Sequence, residues 1–268
     1  MSGFDHCFST LGCSELSLHQ VADLAGRNGI ETVELRALSG TLDLPAALAA
    51  EFGAPDGLAA FLTQRKLRVA ALNTSVRLFD GADLSAIEPF VAWAEAAGAD
   101  HLRVFDGGGR LSRAALDRAA DWLEAWQADR RSRGLKVDLM IETHDALADY
   151  GQLVAFVERV PAARILWDSH HTWARGADME ALWHRIAKSV VHVHVKDSKP
   201  DGDGHRRYVL PGRGDFPMPS LLALLRSSGR RIPLSLEWER HWHPELSPLE
   251  EALTAARAWW GQEDFRCA

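Results

Sequence analysis

The sequence predicts an α/β chain closed into a single (β/α)8 barrel over residues 1–268. Three observations predict it. Strand-like and helix-like runs alternate evenly along the chain, in eight units. The length of 268 residues is close to the roughly 250 that eight strand–helix units occupy. Four strand-like runs in the second half each end in a metal-ligand type of residue: Met140-Ile141-Glu142, Ile165-Leu166-Trp167-Asp168, Val191-His192-Val193-His194 and Leu234-Ser235-Leu236-Glu237. Their last residues are 26, 26 and 43 positions apart. A barrel unit takes roughly 30 residues, so this spacing puts four ligands on four consecutive strands, facing the mouth where such barrels do their chemistry.

The elements follow in order. Phe8 to Leu11 reads as the first strand. Ser17 is an N-cap for a helix that runs to Gly29, a residue suited to a helix end. Thr32 to Arg36 is the second strand. A helix over 57–66 leads to the third, Arg68 to Leu72, and helical periodicity from Ser85 to Ala97 stops at Gly98. The fourth strand, His101 to Phe105, is closed by Gly107-Gly108-Gly109. Ser112 to Arg133 is a long amphipathic helix with Trp122 and Trp126 at i, i+4, stopped by Gly134. Further helical patterns lie at 148–159, 179–187 and 220–228, and a last one over 249–260. No Pro/Gly linker is long enough to split domains, and even alternation favours a parallel sheet. Residues 199–219, rich in Gly and Asp, read as a long loop after the seventh strand, a functional position in a barrel.

Composition narrows the function. Hydrophobic residues make up 47% of the chain, enough for a sizeable core, and the net charge is −7. No basic run is longer than a pair such as Arg130-Arg131 or Arg230-Arg231, so nucleic acid is not an expected partner, because phosphate neutralisation needs clustered cations. Cys7, Cys13 and Cys267 have no zinc-finger spacing. Without a secretory signal they read as reduced thiols of a cytoplasmic protein, although Cys7 and Cys13 could in principle pair. No run approaches the roughly 20 apolar residues of a membrane span.

Glu142, Asp168, His194 and Glu237 offer three carboxylates and one imidazole. That set suits one hard or borderline divalent ion, Mn2+ or Mg2+ first, Co2+ or Zn2+ next. Such an ion is a Lewis acid for a carbonyl, and two glutamates on separate strands can flank a substrate carbon, one taking a proton and the other returning it. Taken singly, an acidic strand end is usually a cap or a surface charge. Four in register are different, because burying several carboxylates requires a compensating cation.

Ser9-Thr10-Leu11-Gly12, Val33-Glu34-Leu35-Arg36, Ile141-Glu142-Thr143-His144-Asp145, Trp167-Asp168-Ser169-His170-His171, His192-Val193-His194-Val195-Lys196-Asp197 and Ser235-Leu236-Glu237-Trp238-Glu239 together resemble the xylose-isomerase-like sugar phosphate isomerase/epimerase superfamily of TIM barrels, over nearly the whole chain. The resemblance implies that Glu142, Asp168, His194 and Glu237 bind the metal. It further implies that Glu142 and Glu237 are the acid/base pair of a ketose epimerase, and that His171, three residues after Asp168, meets a substrate hydroxyl or a metal-bound oxygen. It also suggests a homodimer or homotetramer.

Strand alternation adds candidates, since i and i+2 share a face. His144 would face inward with Glu142 as a substrate or supporting contact. Lys196 would face inward with His194, either beside an enediolate oxygen or paired to a barrel carboxylate. His192 reads as a core histidine deeper in the barrel. Glu34 and Arg36 could be a buried pair or a substrate clamp, and Arg103 is similar. Phe79, Phe105, Trp173 and Trp238 could line a sugar pocket or simply pack. Pro211-Gly212-Arg213-Gly214-Asp215 is tempting as a phosphate cradle but reads as a turn, with Arg213 a possible anion contact. The substrate is then a small sugar or keto-cyclitol. The leading function is a metal-dependent isomerase or epimerase working through an enediolate. The alternative is a dehydratase of a keto-cyclitol or dehydroshikimate-like substrate, on the same site. A DNA-repair barrel would need histidines at the ends of strands three and four, where Leu72-Asn73 and Val104-Phe105-Asp106 stand. A non-catalytic sugar-binding barrel would be expected to lack one of the glutamates.

Overall fold

The structure, a computed structural model, describes residues 4–260. Eight parallel strands close into a barrel in the order β1 (Phe4–Ser9), β2 (Thr32–Leu35), β3 (Arg68–Arg77), β4 (His101–Phe105), β5 (Asp138–Glu142), β6 (Ile165–Asp168), β7 (Val190–Val195) and β10 (Ile232–Leu236), which pairs back onto β1. An antiparallel hairpin, β8 (Asp197–Pro200) and β9 (Arg206–Val209), intervenes between β7 and β10. Around the barrel run α1 (Leu18–Arg27), α2 (Leu44–Phe52), α3 (Pro55–Arg65), α4 (Glu88–Ala97), α5 (Arg113–Arg133), α6 (Tyr150–Arg159), α7 (Ser169–Ala174), α8 (Met179–Ile186), α9 (Met218–Ser227) and α10 (Leu249–Trp260). The predicted fold class is therefore the observed one. No helix is long and apolar enough to cross a membrane, among the described residues.

Local chemistry sets the element ends. Ser17 and Gln20 form a reciprocal capping box on α1, satisfying two N–H groups that a helix start leaves unpaired. Gly98 and Gly134 end α4 and α5 in the left-handed conformation, as anticipated. The first strand differs from expectation. It ends at Ser9, and Thr10–Cys13 is a 3-10 turn, because the Thr10 hydroxyl accepts from the backbone of Arg36 at 2.9 Å and Ala37 at 3.1 Å, bending the chain across the mouth. The segment read as a loop after the seventh strand carries the β8–β9 hairpin. Its turn is organised by Asp201, whose carboxylate accepts from the backbone of Asp203 and His205, with Gly202 and Gly204 at positive φ. Alternation within such short, polar strands is too weak a signal to detect. Helices α2 and α7 were likewise not anticipated. Asp43 caps α2, and Asp168 itself caps α7 by accepting from the His171 backbone at 2.8 Å.

Alternation sorts the barrel residues into two layers. Val33, Leu35, Leu72, Leu102, Val104, Leu139, Ile141, Ile165, Trp167, Val193, Val195, Leu234 and Leu236 belong to the large core between strands and helices. Each fully buried aliphatic side chain there contributes about 1.5–3 kcal/mol. Ala71, Met140 and Leu166 form a separate small cluster, the apolar plug inside the barrel. Beside it the interior is polar, with Glu34, Asn73, Arg103, Glu142, Asp168, His192, His194, Lys196 and Ser235 all buried. Cys7 and Cys13 are buried free thiols, and Cys267 lies outside the described residues.

Two loops at the mouth are pinned by buried carboxylates. Asp106 accepts from the backbone of Gly107, Asp145 and Leu147. Asp197 accepts from Gly212 at 2.9 Å, Gly214 at 2.8 Å and Phe216 at 3.1 Å. The Gly-x-Gly turn thus spends its N–H groups on the protein's own carboxylate, which is why it is a turn and not a phosphate cradle. A Cβ on Gly214 would lie 2.3 Å from the Asp197 carboxylate and 2.4 Å from the Ser198 carbonyl. Gly214→Ala is expected to destabilise the fold by about 1–3 kcal/mol. Gly109→Ala, where a Cβ meets nothing within 4 Å, is expected to stay within about 0.5 kcal/mol of the parent. Urea denaturation of both variants checks the pair.

Candidate metal centre

β5, β6, β7 and β10 bring Glu142, Asp168, His194 and Glu237 together, with a ligating atom of each within 4.8 Å of the others. The parallel register makes this possible. Asp168 stands opposite His194, and His194 opposite Ser235, two residues before Glu237. All four are at most 5% exposed. Glu142 Oε2, Asp168 Oδ2 and His194 Nδ1 are buried without an aligned hydrogen bond. Three carboxylates and an imidazole, all but Glu237 with an inward atom that lacks an aligned hydrogen bond, fit one divalent cation.

The other side of the His194 ring is fixed. Nε2 lies 2.9 Å from both oxygens of Glu34. An ionised carboxylate only accepts, so Nε2 carries the hydrogen. Nδ1 then faces Glu237 Oε2 at 3.3 Å and Glu142 Oε1 at 3.7 Å. A carboxylate that orients the far nitrogen of a ligating histidine is a recurring feature of metal sites. Glu34 is itself held by His192 Nε2 at 2.7 Å and by the Asn73 amide. Burial opposes its ionisation, but His194 and His192 outweigh burial and hold it well below the usual carboxylate range. Burial likewise opposes a charge on His194, while Glu237 and Glu34 raise it well above the usual imidazole value. Nδ1 must therefore release a proton before it can ligate.

Lys196 is 1% exposed, and its ammonium lies 2.7 Å from Asp168 Oδ2 and 2.7 Å from Glu239, in contact with Glu237 as well. Burial disfavours that charge, yet Asp168, Glu237 and Glu239 hold the ammonium well above its ordinary pKa. The same pairing splits the two glutamates. Burial raises Glu142, against the pull of Arg103 and with the push of Glu237. Burial would raise Glu237 too, but His194 and Lys196 hold it well below.

Around this centre, His171 Nδ1 sits 3.2 Å from Asp168 Oδ2, and burial together with Lys196 keeps the ring neutral, well below the usual value. His144 stands at the rim, its ring against those of Phe105 at 4.8 Å and His171 at 5.0 Å. Arg103 Nε is 3.1 Å from Glu142 Oε2, and Arg36 is buried beside it. His192 lies on the far side of Glu34, as a buried partner deeper in the barrel. Two candidates fall outside the cluster. Trp238 is 1% exposed, part of the outer core, and donates to the Ser247 carbonyl at 2.8 Å. Its position follows from alternation, since it is out of phase with Glu237. Arg213 is exposed on the Asp197-pinned turn.

Sequence reasoning did not single out Asn73, Tyr208 or Glu239. Glu239 was detectable as the i+2 partner of Glu237. Tyr208, whose hydroxyl donates to Glu239 at 2.8 Å, arrives on the unforeseen hairpin and carried no signal. A surface hollow of about 800 Å3 lies elsewhere, lined by Asp5, Lys66, Arg68, Asp100 and Arg231 among others. Arg68 and Arg231 pair there with Asp5, so its size does not make it a competing centre.

A family model described as xylose isomerase-like TIM barrel matches residues 22–262. No curated protein matches the sequence significantly. Among solved structures, the probable 3-DHS dehydratase AsbF of Bacillus anthracis has a TM-score of 0.74 at 17% identity, covering 94% of this chain and 98% of that one. A candidate sugar phosphate isomerase/epimerase of Anabaena variabilis has a TM-score of 0.67 at 14% identity, covering 98% and 99%. A xylose isomerase-like TIM barrel protein of Mycobacterium smegmatis, in complex with magnesium, has a TM-score of 0.64 at 12% identity, covering 97% and 100%. At these identities the likeness is one of fold.

Two outcomes are expected. Glu34→Gln should weaken Mn2+ binding about 10–100-fold, read by titration calorimetry, although Glu34 lies on the far side of the His194 ring from the proposed ion. Glu34 and Glu237 are both depressed below the unfolded carboxylate value of about 4.3, so the stability they contribute is complete above that value and lost as pH falls through their folded values. Metal-stripped protein should therefore lose stability on acidification below about pH 4.3, with a shallower slope in Glu34→Gln, measured as the urea midpoint against pH.

Proposed function

The chain belongs to the xylose isomerase-like TIM barrel family, and on that premise we propose that its barrel mouth is the active site of a divalent-metal-dependent sugar isomerase or epimerase. The reaction moves a proton at the carbon next to a keto group, through an enediolate. One observation carries the reading: four buried ligating groups converge within 4.8 Å, and inward atoms of Glu142, Asp168 and His194 lack an aligned hydrogen bond.

Glu142, Asp168, His194 and Glu237 would hold the ion, Mn2+ first by ligand chemistry and Mg2+, Co2+ or Zn2+ next. A cation held there would supply Lewis-acid polarisation of the substrate carbonyl. The protein's own groups do the rest. Glu237, kept ionised by His194 and Lys196, is the base that takes the proton. Glu142, raised by burial, is the acid that returns one. Paired carboxylates with opposed environments are the usual basis for such a division. Lys196 and His171 orient Asp168, and His144 at the rim is in reach of an incoming hydroxyl.

A dehydratase of a keto-cyclitol or related substrate is the second reading. Lys196 favours it: an ammonium in contact with the base Glu237 can hold or protonate a departing hydroxide. Both reactions begin with the same proton abstraction.

The test is deuterium incorporation. Protein loaded with Mn2+ is incubated in D2O with a panel of ketoses and keto-cyclitols, and the recovered compounds are analysed by NMR. Deuterium at the α-carbon of a returned or epimerised sugar supports the first reading, and water loss supports the second. Metal-independent behaviour, or no exchange across the panel, counts against both. Glu142→Gln is expected to lower exchange by at least about 100-fold and to weaken metal binding. Unchanged turnover in that variant would sink the assignment.

A further inference from the structure

Arg36 and Arg103 are 4% and 1% exposed, and both guanidiniums reach one place. Their Cζ atoms lie 5.7 and 3.7 Å from the centroid of the Phe105 ring. Arg36 Nη2 donates to Ser75 Oγ at 3.1 Å, but Nη1 is buried without a hydrogen-bond partner. Arg103 Nε lies 3.1 Å from Glu142 Oε2 without aligning to it, and Arg103 Nη1 also lacks a partner. Buried polar groups are nearly always hydrogen-bonded, and exceptions call for a cause such as an absent ligand. Here three nitrogens of two neighbouring cations share the exception, beside the proposed proton-transfer pair.

The electrostatics agree. Burial, and then the neighbouring Arg103, push Arg36 down to about 9, with Glu142, Glu237 and Glu34 only partly offsetting them. A fixed guanidinium fork matches a planar oxyanion. Because those three carboxylates already offset part of the positive charge, one further negative charge suits the place better than two.

We propose that Arg36 and Arg103 form an anion subsite for a carboxylate carried by the substrate, so that the centre acts on a hydroxylated keto acid and not on a neutral sugar. This rests on the metal-dependent reading above and adds the class of substrate to it. Phe105 floors the subsite, and Arg103 ties it to Glu142, which places a bound carboxylate a short distance from the carbon that exchanges its proton.

Titration calorimetry on Mn2+-loaded protein tests it, with quinate against myo-inositol as carboxylated and neutral cyclitols, and fructose 6-phosphate against fructose as phosphorylated and neutral ketoses. Quinate is expected to bind at least about tenfold more tightly than myo-inositol, the increment of one charge-assisted contact. Arg36→Met and Arg103→Met should each reduce that preference to less than about threefold. Arg103→Lys, which keeps the charge and loses the fork, should reduce it as well and guards against a Met variant that fails to fold. Equal binding of charged and neutral cyclitols, or a preference that survives every substitution, overturns the subsite. A preference for fructose 6-phosphate with none for quinate overturns the carboxylate assignment in favour of phosphate. Mn2+ binding is titrated separately. If wild-type protein fails to bind Mn2+, the metal-dependent reading falls, and the same anion titrations in EDTA still judge the arginine pair by the same criteria.

Discussion

Charge inside a closed barrel is the constraint on which this structure depends. Glu34, Glu142, Asp168 and Glu237 all point into a space from which water is largely excluded, where an unpaired carboxylate would cost several kcal/mol. The chain answers with cations at the same level. His194 stands between Glu34 and the Glu142–Glu237 pair, Lys196 binds Asp168 and Glu237, and Arg103 approaches Glu142. Each contact depends on strand register, because a slip of one residue would turn every inward group outward. The polar interior and the barrel geometry therefore specify one another. Removing one partner would leave its neighbour buried and uncompensated, which is the costly case.

The same principle shapes the rim. Asp106 and Asp197 are buried carboxylates satisfied by backbone N–H groups, and each pins a glycine-containing loop against the end of the barrel. The hairpin that follows β7 is held through Asp197 and Ser198, and Arg206 ties it to Ser198 and Asp215. These loops deliver Tyr208 to Glu239, so the floor of the mouth and its rim belong to one hydrogen-bonded system. Rigid support of this kind is what a centre needs if ligands and proton-transfer groups are to keep their geometry.

Within that frame the two proposed proton carriers are unlike each other by environment, though identical in chemistry. Glu237 lies against Lys196 and His194, whereas Glu142 shares its surroundings with a poorly aligned Arg103 and with the charge of Glu237. A barrel with one cation on each glutamate would give a symmetric pair. Here Lys196, reaching across from β7 to three carboxylates, breaks the symmetry.

Much of this was legible in the chain. Strand periodicity, glycine stops and capping residues predicted eight units, and the spacing of Glu142, Asp168, His194 and Glu237 put them on consecutive strands. Alternation alone turned His192 and Lys196 inward with His194, and it would have excluded Trp238 had it been applied to the residue next to Glu237. What the sequence could not express was pairing across distance. Glu34 and His194 are 160 positions apart and meet only because the barrel closes. Lys196 faced two open readings, an enediolate partner or a barrel ion pair, and only the fold showed it against three carboxylates. The Gly212–Gly214 segment read as a turn, but only the fold showed why, with Asp197 occupying its N–H groups. Local propensity and period are properties of neighbouring residues, so the sequence determined the elements, their order and the chemical type of each strand end. Which charge neutralises which is settled by distances between residues far apart in the chain, and closure of the barrel alone decides those.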